Sequence, residues 1–170
     1  MNKYYNIIIA LLLVQLSLAM DLSNTDSIKI ATYVKNEVRL IENYRNDLAN
    51  RLKKPDYSNW VEGDFKYYSA WQSGLAKEVS RDYKSAISIY KNAYRITRNE
   101  LSTYPVLLSL GRVYYLSKQN KLAKQTLNKY VNEALNEIRE SKDAEYGLSE
   151  DGKKELLLDI DFAKWLLSKL

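Results

Sequence analysis

Histidine and cysteine are both absent from this sequence of 170 residues. Without them the chain has no imidazole to act as a general base near neutral pH, no thiol nucleophile, no disulfide and no zinc site built on the usual ligands. A Gly-rich phosphate-binding motif is missing as well. We therefore expect no catalytic residues, no cofactor and no metal, and a protein that is not an enzyme.

Glycine and proline are scarce, with 5 and 2 residues respectively. Few residues therefore interrupt helices, and long helices are expected. Hydrophobic residues make up 46% of the chain, which is typical of a folded protein with a core. The formal net charge is +5, but basic and acidic residues are interspersed along the chain without a dense basic run, so we expect no nucleic-acid partner.

The amino terminus, residues 1–19, has the pattern of a secretory signal peptide. Lys3 precedes an apolar run over residues 7–18, and the small residue Ala19 predicts cleavage before Met20. A membrane-spanning helix needs about 20 apolar residues, so this run is short for an anchor, although an uncleaved anchor is the alternative. The pattern predicts an exported protein, periplasmic or secreted, with no stable membrane span after cleavage.

The rest of the chain has the periodicity of helices, and no segment alternates as a strand does. A long N-terminal helix is expected within residues 20–54, because apolar residues recur there at helical spacing: Ile30, Val34, Ile41, Leu48 and Leu52. A loop and helix start follow at 55–63. Short amphipathic helices are expected at 64–79, 83–98, 105–118 and 121–141, and a linker and C-terminal helix, capped by Ser149, at 142–170. The expected fold class is all-α.

The helix at 83–98 resembles the second helix of a tetratricopeptide repeat (TPR). Residues 82–93 read Asp-Tyr-Lys-Ser-Ala-Ile-Ser-Ile-Tyr-Lys-Asn-Ala. The TPR pattern has Asp-Tyr, then Ala-Ile, an aromatic residue four positions after that alanine, and another alanine three positions further on. Small Ala86 and Ala93 would let the two helices of a repeat approach, with Tyr90 in the adjoining gap. Gly74 occupies the family's small-residue position in the preceding helix.

A second copy of the pattern follows. Residues 107–114 read Leu-Leu-Ser-Leu-Gly-Arg-Val-Tyr, which is similar to the family's W-x2-L-G-x2-Y with Leu in place of Trp. Its Gly111 follows the glycine of the first copy by 37 residues, against a family period of about 34. Tyr130 departs from the pattern, because it stands where the second alanine is expected. The two copies together lie within residues 67–137.

The resemblance implies antiparallel helix pairs of TPR-like superhelical type, between a long N-terminal helix and a C-terminal capping helix. It also implies a protein–protein interaction module, whose partner is another protein or a peptide segment bound on the concave surface formed by the first helix of each repeat. In the family's register, the partner-binding groove would contain Tyr68, Trp71, Leu75, Glu78, Leu108, Arg112 and Tyr115. Tyr68 and Trp71 have an alternative role, which is to pack against the first long helix.

The function favoured by these patterns is an exported, non-catalytic scaffold or adaptor in the bacterial cell envelope. One alternative is an oligomeric structural protein, a homo-oligomer assembled through the helix at 26–52. The other is an envelope enzyme subunit with an unrecognised site built from Tyr, Lys, Ser and carboxylates. Asp159 and Asp161 offer little support for such a site, because two residues on a helix that are two positions apart do not face each other.

Overall fold

The computed structural model describes residues 23–53, 59–96, 104–141 and 148–170. In these ranges the chain forms six helices and no strand, so the predicted all-α fold is confirmed for them. The helices are α1 (Asn24–Leu52), α2 (Asn59–Val79), α3 (Tyr83–Arg95), α4 (Val106–Leu116), α5 (Asn120–Glu140) and α6 (Glu150–Leu167). The predicted signal peptide at 1–19, together with residues 20–22, 54–58, 97–103 and 142–147, lies outside the described residues.

Short polar side chains begin three of these helices. The side chains of Ser23, Asp82 and Ser149 accept hydrogen bonds from backbone N–H groups in the first turns of α1, α3 and α6. Each bond satisfies a donor that has no partner inside the helix. The predicted cap of the last helix at Ser149 is confirmed.

The helix expected at 64–79 begins earlier, at Asn59. Val61 in the added turn is buried, and its packing stabilises that turn. This contribution outweighs the cost of Gly63 inside the helix, which is about 1 kcal/mol relative to alanine.

The helices are arranged in two layers with α1 on the outside. α2 packs on α3 and α4 packs on α5, and the short turns within these pairs make the partners antiparallel. α4 also contacts α2 and α6, so α2, α4 and α6 form one layer, and α3 and α5 form the other. α1 packs against α2, and α6 packs against α5 at the opposite end of the chain.

The turns inside the two helix pairs have the same backbone geometry. Arg81 and Lys118 both have φ 62°, in the left-handed region. The N–H groups of residues 81 and 82 donate to the carbonyls of residues 78 and 77, and those of 118 and 119 donate to 115 and 114. Equivalent positions are 37 residues apart (118 − 81 = 37), which is also the offset between Gly74 and Gly111. The pairs α2–α3 and α4–α5 are therefore two copies of one helix–turn–helix unit with the same Schellman-type helix end.

The glycine of each copy marks a close approach between its two helices. A Cβ atom on Gly74 would lie 2.3 Å from Tyr90 Cε1, and one on Gly111 would lie 2.6 Å from Leu127 Cδ2. Those separations are far inside van der Waals contact, so no side chain fits without movement of its neighbour. Ala86 is fully buried in the same pair as Gly74. In each unit a small residue of one helix thus makes room for a large side chain of the other helix.

Candidate functional site

Five of the seven residues predicted to form a partner-binding groove are buried. They are Trp71, Leu75 and Glu78 on α2, and Leu108 and Arg112 on α4. Tyr68 and Tyr115 are half-buried. The structure therefore assigns the five to the core, and it leaves Tyr68 and Tyr115 with exposed surface.

The face formed by these residues is covered by α1. Tyr44 of α1 stacks on Tyr68, with 5.3 Å between ring centroids. Glu37 of α1 accepts a 3.0 Å hydrogen bond from Trp71 Nε1. It also forms an ion pair with Arg112, with 2.6 Å between Oε2 and Nη2. Tyr68 and Trp71 therefore pack against the first long helix, which was the alternative arrangement for them.

The five apolar residues spaced along α1 would form the seam of a homo-oligomer assembled through the 26–52 helix, and they face inward as well. Four of the five are buried within the chain itself: Ile30, Val34, Ile41 and Leu48. The fifth, Leu52, is half-buried. An oligomer formed through this seam would require α1 to leave the other helices.

Arg112 is the centre of a buried polar cluster that joins α1, α2 and α4. Its Nε and Nη2 atoms donate to the two carboxylate oxygens of Glu78, at 2.6 and 2.9 Å. Burial alone would lower the pKa of Arg112, but the attraction of Glu37 and Glu78 prevails and holds that pKa well above its usual value. The guanidinium therefore stays charged and is shared by two carboxylates.

Neutral groups also donate hydrogen bonds to these two carboxylates. Tyr90 donates a 2.8 Å hydrogen bond from its hydroxyl to Glu78 Oε2, and the Ser109 hydroxyl donates to Glu37. Burial raises the pKa of Glu37, and Arg112 compensates for only part of that effect. We name Glu37, Trp71, Glu78, Ser109 and Arg112 the Arg112 cluster. Its side chains are buried, and its contacts join three helices to one another.

Tyr33 connects the Arg112 cluster to α6. Its hydroxyl donates a 2.6 Å hydrogen bond to Asp159 Oδ1. Its ring stacks on Phe162 with 3.8 Å between centroids, and it lies 5.5 Å from the Arg112 guanidinium carbon. Burial raises the pKa of Asp159 to about 6, and the hydrogen bond from Tyr33 opposes that rise. Glu37 is a further cause that raises this pKa.

A cleft of about 790 Å³ opens between α1 and α6, and we name it the α1–α6 cleft. Trp71 and Leu108 contribute to its lining, so two of the seven predicted residues belong to it. Leu40 on α1 and Leu158 on α6 also line it, and they are 43% and 68% exposed. Its charged lining residues are Lys29, Glu37, Arg39, Glu155, Asp159 and Asp161. The last two thus line one cleft, although their spacing on the helix argued against a shared site.

Several residues of this region were not among those selected from the sequence. Glu37 had a detectable signal, because it lies three residues after Val34 and four before Ile41, on the apolar face of α1. A charged residue on such a face must have a buried partner or distort the helix packing. Tyr33 and Asp159 had no comparable signal, because they are 126 residues apart.

The described residues contain no group of Asp, Glu, His or Cys side chains arranged to hold a metal ion. In the same part of the chain, no helix combines the length and apolar character that a membrane crossing requires. Comparisons with protein-family models, with curated proteins and with solved structures give no match for this chain. Its function is therefore inferred from its own residues.

Proposed function

We propose that this protein is an exported, non-catalytic interaction module of TPR-like type, which acts as a scaffold or adaptor in the bacterial cell envelope. It binds another protein at the α1–α6 cleft. The observation that carries this proposal is the presence of Leu40 and Leu158 on opposite walls of one cleft of about 790 Å³, at 43% and 68% exposure. Exposed apolar side chains that are grouped around a concavity are typical of protein-binding surfaces.

The repeated units support the TPR-like part of the proposal. Both copies have a left-handed residue at the same place in the turn and a glycine contact at the same place in the first helix. Each unit packs on a neighbouring unit and on a flanking helix, as the units of helical repeat proteins do. α1 and α6 supply the outer neighbours for the two units.

The position of α1 determines which surface is open to a partner. The face of α2 and α4 that the family resemblance assigns to ligands is covered by α1, through contacts such as Trp71–Glu37 and Arg112–Glu37. Among the described residues, an open concavity lies between α1 and α6. Trp71 and Leu108 are shared by the covered face and the cleft. A partner would therefore bind beside α1 rather than in its place.

Capture of partners in the native host tests this function. The full chain serves as tagged bait, with the double variant Leu40→Ser/Leu158→Ser and the matched control Leu122→Ser/Leu135→Ser. The control residues are also exposed leucines, but they lie on α5, outside the cleft lining. We expect the cleft variant to recover much less of the proteins that wild type enriches, and the control to recover them as wild type does. Equal recovery by both variants would contradict binding at the cleft.

Oligomerisation through the 26–52 helix has less support, because the chain itself buries four of its five seam residues. Light scattering on the full chain tests the point. We expect the mass of a monomer, because the apolar face of α1 is already buried against the other helices of its own chain. A stable dimer that is lost on polar substitution of Ile30 and Val34, with the helix content retained, would instead support the structural-protein alternative.

A further inference from the structure

We propose that the α1–α6 cleft accepts a basic side chain of its partner, an arginine or lysine flanked by apolar residues in a peptide segment. This inference rests on the proposed function, because it names the chemistry of the partner at the same cleft. Three observations carry it: the charge of the lining, the state of two carboxyl groups in it, and the apolar residues on its two walls.

The lining of the cleft is negative although the chain is positive. Its charged residues are two cations, Lys29 and Arg39, and four carboxylates, Glu37, Glu155, Asp159 and Asp161, which sum to 2 − 4 = −2. The whole chain has a formal net charge of +5. A concave surface with one sign of charge concentrates ions of the opposite sign. An anionic or phosphorylated segment is disfavoured for the same reason.

Two of these carboxylates have less cationic compensation than their burial requires. Glu37 shares Arg112 with Glu78, so one guanidinium serves two carboxylates. The hydrogen bond that Asp159 accepts comes from the neutral Tyr33 hydroxyl. Burial is the main cause of the raised pKa of Glu37 and of Asp159. A cation entering the cleft would stabilise both carboxylates in their ionised form.

The cations of the cleft wall do not remove this imbalance. Lys29 Nζ lies 4.4 Å from the centroid of the Trp165 ring, which holds its charge against an aromatic face. Arg39 lies on the same helix and is exposed to solvent, where screening weakens its effect on a buried carboxylate. A partner side chain that enters from solvent can approach Glu155 and Asp159 on α6 directly.

The apolar lining residues specify what surrounds the basic side chain. Leu40 and Leu158 are exposed on the two walls, and Phe162 lines the cleft beside the Tyr33 ring. A basic residue with apolar neighbours would place its charge at the carboxylates and its neighbours on these side chains. A free amino acid or a polyamine would make only the first of these contacts.

Two matched peptides test the inference by NMR titration of the isotope-labelled full chain. The first is acetyl-Leu-Leu-Arg-Leu-Leu-amide, and the second replaces arginine with citrulline, which has the same shape and no charge. We expect the arginine peptide to shift amide resonances at residues 29–40 and 155–162. It should bind up to about fivefold more tightly than the citrulline peptide, as one partly screened ion pair allows. Acetyl-arginine-amide should bind more weakly than the peptide.

Raising the pH from 5 to 7 should strengthen binding of the arginine peptide but not of the citrulline peptide. Asp159 loses its proton in this interval, since its pKa is about 6. The charged and titratable groups that face it are Tyr33 and Glu37 on α1, Tyr104, Arg112 on α4, Tyr130 on α5 and Glu155 on its own helix. A pH response of equal size for both peptides would contradict a role for this carboxylate.

Variants of the lining carboxylates then show which of them binds the basic side chain of the peptide. Asp159→Asn keeps an oxygen acceptor for Tyr33, and Glu155→Gln removes a second charge from the lining. The matched control is Asp151→Asn, on the same helix but with a side chain that is 91% exposed and outside the cleft. We expect each cleft variant to reduce the preference for arginine over citrulline severalfold, and the control to keep it. If Asp159→Asn does not fold, Glu155→Gln and Asp161→Asn give the same test.

The outcomes separate this inference from the proposed function. Equal affinity for the arginine and citrulline peptides, or an equally strong interaction with acetyl-arginine-amide, would overturn the basic side chain while leaving protein binding at the cleft intact. No shift at residues 29–40 and 155–162 with either peptide would also overturn the inference. The proposed function fails separately, if the Leu40→Ser/Leu158→Ser variant still captures the same proteins.

Discussion

The helix pairs α2–α3 and α4–α5 share a turn and a glycine contact, but they differ further along the second helix. Ala93 near the end of α3 corresponds to Tyr130 in α5, which lies 37 residues later in the sequence. Both side chains are buried, and Tyr130 lies against Tyr104 with 5.9 Å between ring centroids. The turn and the glycine contact therefore define the unit, while the space beyond them accepts a small or a large residue according to its neighbours.

The two pairs also differ in the charge of equivalent buried positions. Leu75 in the first pair corresponds to Arg112 in the second (112 − 75 = 37), and both are buried. Arg112 forms an ion pair across to Glu78 of the first pair. One copy thus has an apolar residue where the other has a cation that links the copies. The packing of repeated units alone does not require such a charge.

The largest expected difference between the copies is at these two positions. Arg112→Met should lower the free energy of unfolding by about 3–5 kcal/mol, because it leaves Glu37 and Glu78 buried without their cation. Leu75→Met, at the equivalent position, should lower it by less than about 1.5 kcal/mol. Urea denaturation of both variants measures this difference. Similar small losses would show that the Arg112 cluster does not hold the copies together.

The glycine contacts should differ less. Gly74→Ala places a Cβ against the Tyr90 ring, which is held by its hydrogen bond to Glu78, so we expect a loss of about 2–3 kcal/mol. Gly111→Ala meets the flexible side chain of Leu127, and the better helix propensity of alanine offsets part of the strain, so a loss of about 1 kcal/mol is expected. Thermal unfolding compares them. A larger loss of stability for Gly111→Ala than for Gly74→Ala would contradict the conclusion that the Gly74 contact is the more rigid of the two.

The stability of the protein should depend on pH through Asp159 on α6, the helix that packs against the pair α4–α5. The pKa of Asp159 is about 6 in the folded chain, whereas the ordinary value of 3.8 applies to the unfolded chain. Between these pH values the folded chain therefore binds more protons than the unfolded chain. Stability should therefore fall as pH rises from about 4 to about 6. Asp159→Asn should remove this fall and gain about 1–2 kcal/mol at pH 7. Urea denaturation at pH 4 and pH 7 measures it, and a destabilised variant at pH 7 would contradict the assignment.

The smallest expected difference is in the caps of the second helices. Asp82 accepts a hydrogen bond from the Ser85 N–H, whereas Gln119 at the equivalent position makes no side-chain cap. Asp82→Ala should therefore reduce the melting temperature more than Gln119→Ala does, and Gln119→Asp should raise it. The hydrogen bond to Ser85 lowers the pKa of Asp82, so its contribution is present above about pH 4 and is lost as pH falls. Melting curves at pH 3 and pH 7 check both statements.

Much of the fold follows from local patterns in the sequence. Sparse glycine and proline predict helices, Ser149 predicts a helix start, and the 37-residue offset between glycines predicts two similar units. These features depend on residues a few positions apart, or on one motif that occurs twice. Local patterns therefore predict helix positions and the pairing of neighbours.

The candidate site was harder to predict, because it depends on contacts between distant elements. The family resemblance places Trp71, Glu78 and Arg112 on one surface, and all three belong to the Arg112 cluster. From the sequence, this surface could be covered by a bound partner or, at Tyr68 and Trp71, by the first long helix, because periodicity defines a face of a helix but not what packs on it. The covering element is α1, and its Glu37 is the residue that joins the group. The α1–α6 cleft could not be predicted in the same way, because it is formed by the first and last helices, which are far apart in the sequence.

The most direct test of binding at the α1–α6 cleft is site-specific photocrosslinking in the native host, with p-benzoylphenylalanine in place of Leu158 or Leu157. These neighbours on α6 are 68% and 44% exposed, and of the two only Leu158 lines the cleft. Binding at the cleft predicts a strong adduct with a defined protein from position 158 and little from position 157. Equal adducts from both positions, or none from position 158, would contradict it.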